Sequence, residues 1–270
     1  MSWLERLPDL ISECCERWEL VGDGTFADDC RYVDLRHVEP VRTPDGAAAV
    51  LKLAPDLSAE LAALGWFSGH GGVRVLASDP ARGAMLLERA LPGTPLRDLA
   101  AHDDEAATAA AAGVMGALWR PAPADHPFPT VREWGDDLSG AGRAAALYAE
   151  LCDSMGEPVV LHGDLHHDNV LQSDTRGWLA IDPKGVVGEC EYETGALLRN
   201  PKPELLDLPH PGRILRRRAD QLAAALNLDV ARVRGWAYAE AVLAAVWCEQ
   251  DGQDPAFFRA CADLLEPLTR

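Results

Sequence analysis

The sequence predicts an α+β chain of two lobes: a small antiparallel-sheet lobe over residues 1–90 and a larger, mainly helical lobe over residues 91–270. Three observations carry this. Short apolar or alternating runs broken by Gly, Pro and Asp turns fill the first third. Helical periodicity dominates after Thr94. A polar cluster, LHGDLHHDNVLQS at 161–173, sits between short apolar runs, where a cleft between the two lobes would lie.

Taken in order, Trp3, Leu4, Leu7, Leu10, Ile11 and Trp18 recur at helical spacing and predict an amphipathic first helix. The segment WELVGDGTFADDCRYVDLRHV reads as two strands around a glycine-containing turn, and TPDG is turn chemistry leading into the strand AAAVLKLA. DLSAELAALGWFSGHGG reads as a short helix closed by glycines, and VRVLAS and AMLLERA as a hairpin around DPARG. Helices are predicted near 104–119, 131–154, 212–226, 230–250 and 255–266, with the Pro-rich link RPAPADHPFP after the first. VVLHGD, NVLQS and WLAID read as short buried strands, the last two joined by the turn SDTRG.

At 270 residues, 48% apolar and 25% charged, the chain can bury two cores and has no disordered character. A net charge of -18 repels nucleic acid and anionic membrane and suits cationic small-molecule partners. The seven cysteines (14, 15, 30, 152, 190, 248, 261) are scattered without a C-x-x-C pair, so reduced thiols in a cytoplasmic protein are expected. The N-terminus carries Glu5, Arg6 and Asp9 where a signal peptide needs an apolar run, and AATAAAAGVMGALW is short of a membrane span. Only Lys52, Lys184 and Lys202 stand against 22 arginines, so a lysine inside a strand pattern stands out.

The cluster packs His162, Asp164, His166, His167, Asp168 and Asn169 into eight positions, with Asp182 in WLAIDP thirteen residues beyond Asn169. Its spacing matches the kinase set, in which the first Asp accepts the acceptor hydroxyl's proton and the Asn and second Asp hold magnesium. Phosphoryl transfer needs that carboxylate and hard oxygen ligands for Mg²⁺ at the nucleotide phosphates. Asp164 is therefore the candidate base and Asn169 and Asp182 the candidate metal ligands, with Gly163 leaving room for substrate and His162 holding the loop. The competing reading makes His166, His167 and Asp168 ligands of a two-metal hydrolase, but the remaining histidines are scattered without supporting motifs.

Upstream, Lys52 is the single cation of AVLKLA, as a phosphate-contacting lysine requires, and Glu60 in the following helix is its candidate ion-pair partner. Gly22 and Gly24 lie in the turn VGDGTFA, with Ala27 where a third glycine would fall. Glu88 and Ala90, in the LLERA segment joining the lobes, are placed to offer backbone groups to adenine.

The residues LHGDLHHDNVL, WLAIDP, GECEYETGALLRNP and WAYAEAVLAAVWCEQDG resemble the aminoglycoside phosphotransferases, most closely the streptomycin 6-kinase and hydroxyurea phosphotransferase branch. The resemblance is most specific over 159–201 and implies a two-lobed protein-kinase-like fold, ATP and Mg²⁺, and γ-phosphate transfer to a small-molecule hydroxyl. It implies the same roles for Asp164, Asn169, Asp182 and Lys52. The chain departs from it in the incomplete glycine loop, in Lys184 following the metal-loop Asp where many kinases have a small residue, and in a loosely matching N-terminal lobe. Streptomycin's guanidinium groups pair well with carboxylates, which makes Glu189, Glu191, Glu193, Glu249 and Asp251 candidate substrate contacts. Trp236 and Trp247 are expected in the core. No A-P-E-like anchor follows Asp182, against a protein kinase, and the presence of Lys52, Asp164, Asn169 and Asp182 together disfavours a nucleotide-binding pseudokinase.

Overall fold

The computed structural model describes residues 2–26 and 36–269; Ala27 and Cys30 lie outside the described residues, as does much of the second half of the WELVGDGTFADDCRYVDLRHV segment. Helix α1 (Trp3–Arg17) starts at a capping box, Ser2 and Glu5 each accepting the other's backbone N–H. It buries Leu7, Leu10 and Cys14 against the sheet that follows. Strands β1 (Val21–Gly22), β2 (His37–Arg42) and β3 (Ala48–Leu53) come next, then helix α2 (Ser58–Phe67) and strands β4 (Val75–Asp79) and β5 (Ala84–Glu88). The five strands form one antiparallel sheet in the order β1-β2-β3-β5-β4.

Alternation along β3 decides where its lysine goes. Ala49, Leu51 and Leu53 face α1 in one apolar cluster, whereas Val50 packs on the opposite face in a second cluster with Leu64 of α2, Met85 and Leu87. Lys52, in register with Met85, must share that second face and so points toward the other lobe. Gly83 closes the β4–β5 hairpin at φ +61, where a Cβ would lie 2.0 Å from the Ala54 carbonyl oxygen, so no other residue fits this turn.

The second lobe begins with β6 (Pro92–Pro95), α3 (Leu96–Ala100) and α4 (Asp104–Leu118). There follow α5 (Val131–Trp134), α6 (Arg143–Asp153), β7 (Val159–Leu161), β8 (Val170–Ser173), β9 (Gly177–Ala180) and β10 (Val186–Gly188). Helices α7 (Cys190–Leu198), α8 (Pro211–Leu226), α9 (Val230–Gln250) and α10 (Ala256–Leu265) complete it. Strands β6, β8 and β9 make one small sheet and β7 with β10 another, so the polar cluster runs from β7 into β8. The helix expected over 131–154 is two helices: a 3-10 turn, Gly135–Leu138, and the left-handed Gly140 and Gly142 interrupt it. Gly135 also lets Tyr148 approach, since a Cβ there would meet its ring at 2.3 Å. The sequence reading did not assign α3, α7, β6 or β10, all of them nine residues or shorter.

Helix α9 is the lobe's axis, with Trp236, Ala237, Ala239 and Ala241 fully buried. It meets α7 so closely that a Cβ on Gly195 would sit 2.2 Å from a Glu240 carboxylate oxygen. The six described cysteines are free thiols. Among the described residues no helix is long and apolar enough to cross a membrane.

Candidate active site

Lys52 is 1% exposed, and a buried ammonium survives only if paired. Its Nζ lies 2.8 Å from Glu60 Oε1 on α2 and 2.7 Å from Asp182 Oδ1 beyond β9, so one cation joins strand, helix and second lobe. Arg36 adds a longer contact, 3.4 Å, to Asp182 Oδ2. Burial pushes the Glu60 carboxyl up against the pull of Lys52. Burial pushes the same way on Asp182, yet Lys52, then Arg36 and Lys184, hold that carboxyl below its ordinary value. Asp182 adopts φ +59, a left-handed conformation uncommon outside glycine that Asp tolerates and that concentrates at functional sites.

On the facing loop His162 is fully buried and bridges the two motifs. Its Nδ1 accepts the Asp164 N–H at 3.2 Å, which leaves Nε2 to donate to the Ile181 carbonyl at 2.7 Å. Burial drives its pKa down to about 4, in keeping with this neutral tautomer. The Asn169 side-chain amide nitrogen donates to the Asp164 carbonyl at 2.9 Å, so its oxygen is the atom available to a ligand. Asp164 has His166 Nε2 at 3.9 Å and Lys184 Nζ at 4.0 Å from its carboxylate oxygens.

Beneath the loop lies a carboxylate whose role the sequence reading missed. Glu193, 1% exposed on α7, accepts the backbone N–H of His162 at 2.6 Å and of Gly163 at 2.9 Å, one on each oxygen. Burial lifts it to about 7 despite those two donors. Behind it Glu240, pushed up to about 8 by burial, pairs with Arg199 at 2.9 Å. Glu189 is likewise committed, to Arg232, to Trp236 Nε1 and to the Gly156 N–H. Glu191 accepts the Asp229 N–H at the start of α9. The structure therefore corrects the reading of Glu189 and Glu193 as substrate contacts: their carboxylates are consumed in tying α7, α9 and the loop together, whereas Glu191 is half-buried and gives one oxygen to a 3.3 Å contact. Glu249 stays on the surface, paired with Arg259, and Asp251 is exposed at the end of α9.

Gly163 also has a different reason from the one expected. It sits at φ +82, and a Cβ there would meet Trp134 at 2.9 Å and Val186 at 3.0 Å, so an indole and not free space lies beside it. Trp247 meets Trp134 edge-on with ring centroids 5.8 Å apart and donates to Asp137 at 2.8 Å, whereas Trp236 is core as expected. In the first lobe Gly22 and Gly24 are exposed around Asp23, which pairs with Arg42 and Arg89. The Glu88 carboxylate is taken by Arg74 N–H and Arg176, and Ala90 packs with Leu87 and Leu179, which leaves this link its backbone groups to offer.

The hydrolase reading loses its ligands. Asp168 is bound to Arg97 at 2.7 Å, His167 is 1% exposed, and among the described residues no three His, Cys, Asp or Glu side chains converge to hold a metal. A divalent ion held by Asn169 and Asp182 would need oxygens from a bound phosphate to complete its shell, and these two hard-oxygen ligands suit that arrangement.

A sheet lobe carrying a Lys–Glu pair, joined to a helical lobe carrying the HGD loop and a left-handed Asp, defines a two-lobed kinase-like phosphotransferase. The family model for aminoglycoside/hydroxyurea antibiotic resistance kinases matches residues 17–252, and the chain belongs to that family. It is 35% identical to a streptomycin 6-kinase of Streptomyces glaucescens over 94% of this chain and 88% of that one. Against a streptomycin 3''-kinase of Klebsiella pneumoniae the identity is 36%, covering 88% and 91%. Against a hydroxyurea phosphotransferase of Kitasatospora aureofaciens it is 33%, covering 93% and 76%. Among solved structures, the choline kinase LicA of Streptococcus pneumoniae superposes with a TM-score of 0.66 at 10% identity, covering 97% of this chain and 99% of that one. Amicoumacin kinase hAmiN, solved with AMP-PNP, Ca²⁺ and Ami, gives 0.62 at 13% identity, covering 97% and 92%. These structures share the fold.

Proposed function

We propose that the protein transfers the γ-phosphoryl group of ATP, with Mg²⁺, to a hydroxyl of an aminoglycoside of streptomycin type. The observation that carries the reading is the Lys52–Glu60–Asp182 chain at 2.8 and 2.7 Å, which assembles residues from both lobes opposite Asp164 and Asn169. Nucleotide is taken between residues 1–90 and 91–270, its phosphates against Lys52 and the exposed Gly22–Gly24 turn, its base against the backbone of the Glu88–Ala90 link. Asn169 and Asp182 would hold Mg²⁺, which would neutralise phosphate charge. Asp164 orients the acceptor hydroxyl and takes its proton.

The relatives named for streptomycin support the substrate class, and so does the charge of -18. An acidic surface close to the loop supports a cationic acceptor too: Asp136 and Asp137 come two and three residues after Trp134, whose ring covers Gly163. Glu249 and Asp251 extend it at the end of α9. Hydroxyurea is the second reading, favoured by the hydroxyurea phosphotransferase relative. The cytoplasm, where ATP is available, is the compartment this chemistry requires.

The test is ADP release from Mg-ATP with streptomycin, hydroxyurea and a panel of other aminoglycosides and sugars, with Asp164→Ala as control. Streptomycin-dependent ADP formation that vanishes in the control is expected. Turnover with hydroxyurea alone would select the second reading, and silence across the panel would reject both.

A further inference from the structure

Three lysines occur in the chain, and the structure gives them three different situations. Lys52 is buried and saturated by two carboxylates within 3 Å. Lys202 lies over the rings of Phe257 and Phe258. Lys184 is 42% exposed at its side chain and lines the same cavity as Arg36, Glu60 and Asp182, with its Nζ 4.0 Å from Asp164 Oδ2. That distance is beyond hydrogen-bonding range, and an exposed pair of this kind adds little to stability. Folding does not explain the placement.

The backbone around Lys184 is nonetheless held tightly. Its own N–H and that of Gly185 both donate to the His162 carbonyl, at 2.8 and 3.1 Å. Gly185 sits at φ +71 with the Phe128 ring 2.8 Å from where a Cβ would be, and Pro183 restricts the other side. A rigid root therefore carries a half-exposed cationic side chain, two residues from Asp182 in sequence yet reaching across to Asp164. Between Asp164 and Asn169 the loop reads LHHD and offers no lysine or arginine; His167 is buried and Asp168 is neutralised by Arg97. In-line phosphoryl transfer spreads charge over three equatorial oxygens, and Lys52 is already held by Glu60 and Asp182, so a further cation beside the base has charge to stabilise. Of the two cations that line the cavity, Arg36 contacts Asp182, whereas Lys184 has its Nζ 4.0 Å from the Asp164 carboxylate.

We propose that Lys184 is a catalytic residue that contacts the γ-phosphoryl group and holds it in line with the acceptor oxygen at Asp164. The inference rests on the phosphotransferase reading above. In the step itself the acceptor oxygen–phosphorus bond forms and the bond from the γ-phosphorus to the β,γ-bridging oxygen breaks. That electron pair leaves on ADP, and the hydroxyl proton passes to the Asp164 carboxylate. Lys184 stays protonated throughout and supplies charge and hydrogen bonds.

The test is calorimetric titration of Mg²⁺-ADP and Mg²⁺-AMP-PNP into the wild-type protein, Lys184→Ala and Lys184→Arg, alongside steady-state kinetics. Because only the triphosphate analogue carries a γ-group, Lys184→Ala should weaken AMP-PNP about tenfold or more and leave ADP within about twofold, with a kcat loss of roughly 10²-fold. Lys184→Arg should restore part of both losses. Equal weakening of the two nucleotides, or no change in either, would overturn the role. Unchanged thermal melting shows that Lys184→Ala is folded; if it is not, Lys184→Gln is read by the same criteria. A wild-type protein that binds neither nucleotide would overturn the phosphotransferase reading itself, which separates the two failures.

Discussion

Lys52 and Arg199 are both buried cations paired with a glutamate, and the molecule uses them in opposite ways. In the cleft, Lys52 holds Glu60 and Asp182, but Asp182 keeps a third of its side chain exposed and has Arg36 and Lys184 around it. Beneath the loop, Arg199, Glu240 and Glu193 are closed off from water, and both oxygens of Glu193 are spent on backbone donors. The first network is half open, as the proposed nucleotide-phosphate site requires. The second is a sealed support that fixes the loop from behind. An acidic residue's place in the sequence does not tell which network it joins, which is why Glu189 and Glu193 looked like substrate contacts.

The sharpest way to break the comparison is to remove a partner from each side. Arg199→Ala strands Glu240 in the core and should cost about 3–5 kcal/mol, read as a lowered urea midpoint. A loss no greater than that of a surface substitution would mean the pair is not sealed. Asp164→Ala, on the open side, should lower kcat by roughly 10²-fold or more, equivalent to about 2.7 kcal/mol of barrier, while melting stays within about 0.5 kcal/mol of wild type. Near-normal turnover would remove Asp164 from the role of base.

Glu193 stands between the two networks, as a positioning residue that acts through the loop backbone. Glu193→Gln replaces one acceptor by a donor facing an N–H, so about 1–3 kcal/mol of stability and about tenfold in kcat should be lost, with the acceptor's KM little changed. The variant also carries a pH signature. The carboxyl titrates near 7 when folded against an ordinary value of 4.5, so the folded state holds the extra proton between them. Its contribution is fully present below the ordinary value and is lost as pH rises through 7, so the stability gap between wild type and Glu193→Gln should narrow over that interval. A gap that widens from pH 5 to 7 would reverse the assignment. The smallest effect is expected at the rim: Glu249→Ala should change stability by less than about 0.5 kcal/mol, because its pair with Arg259 is exposed. A rise in KM for streptomycin without loss of kcat would make Glu249 a substrate contact.

Much of the cleft was legible because its residues form short motifs with fixed spacing. Lys52 stood out as one cation in an apolar strand, and the structure gives it the expected partner, Glu60. The HGD loop and Asp182 could be paired because a short hairpin spans the distance between them. Arg36 carried no such signal, since one arginine among 22 next to a strand is unremarkable until the strand's position is known. Trp134 was equally silent: its contact with Gly163 joins segments almost thirty residues apart, and the break after α5 that aims it depends on Tyr148 filling the space at Gly135.

By itself the sequence determined the two-lobed order of sheet and helices, the amphipathic character of α1, and the candidate residue set on which the proposed phosphoryl transfer rests. Periodicity and local spacing act over one turn or one hairpin, and that suffices for these. Only the tertiary structure decided which carboxylates face solvent and which support the loop. It also decided that Gly163 and Gly195 are required by neighbouring side chains, and that Lys184 reaches Asp164. Burial and pairing are set by contacts between distant segments, and a charge's role changes with what surrounds it.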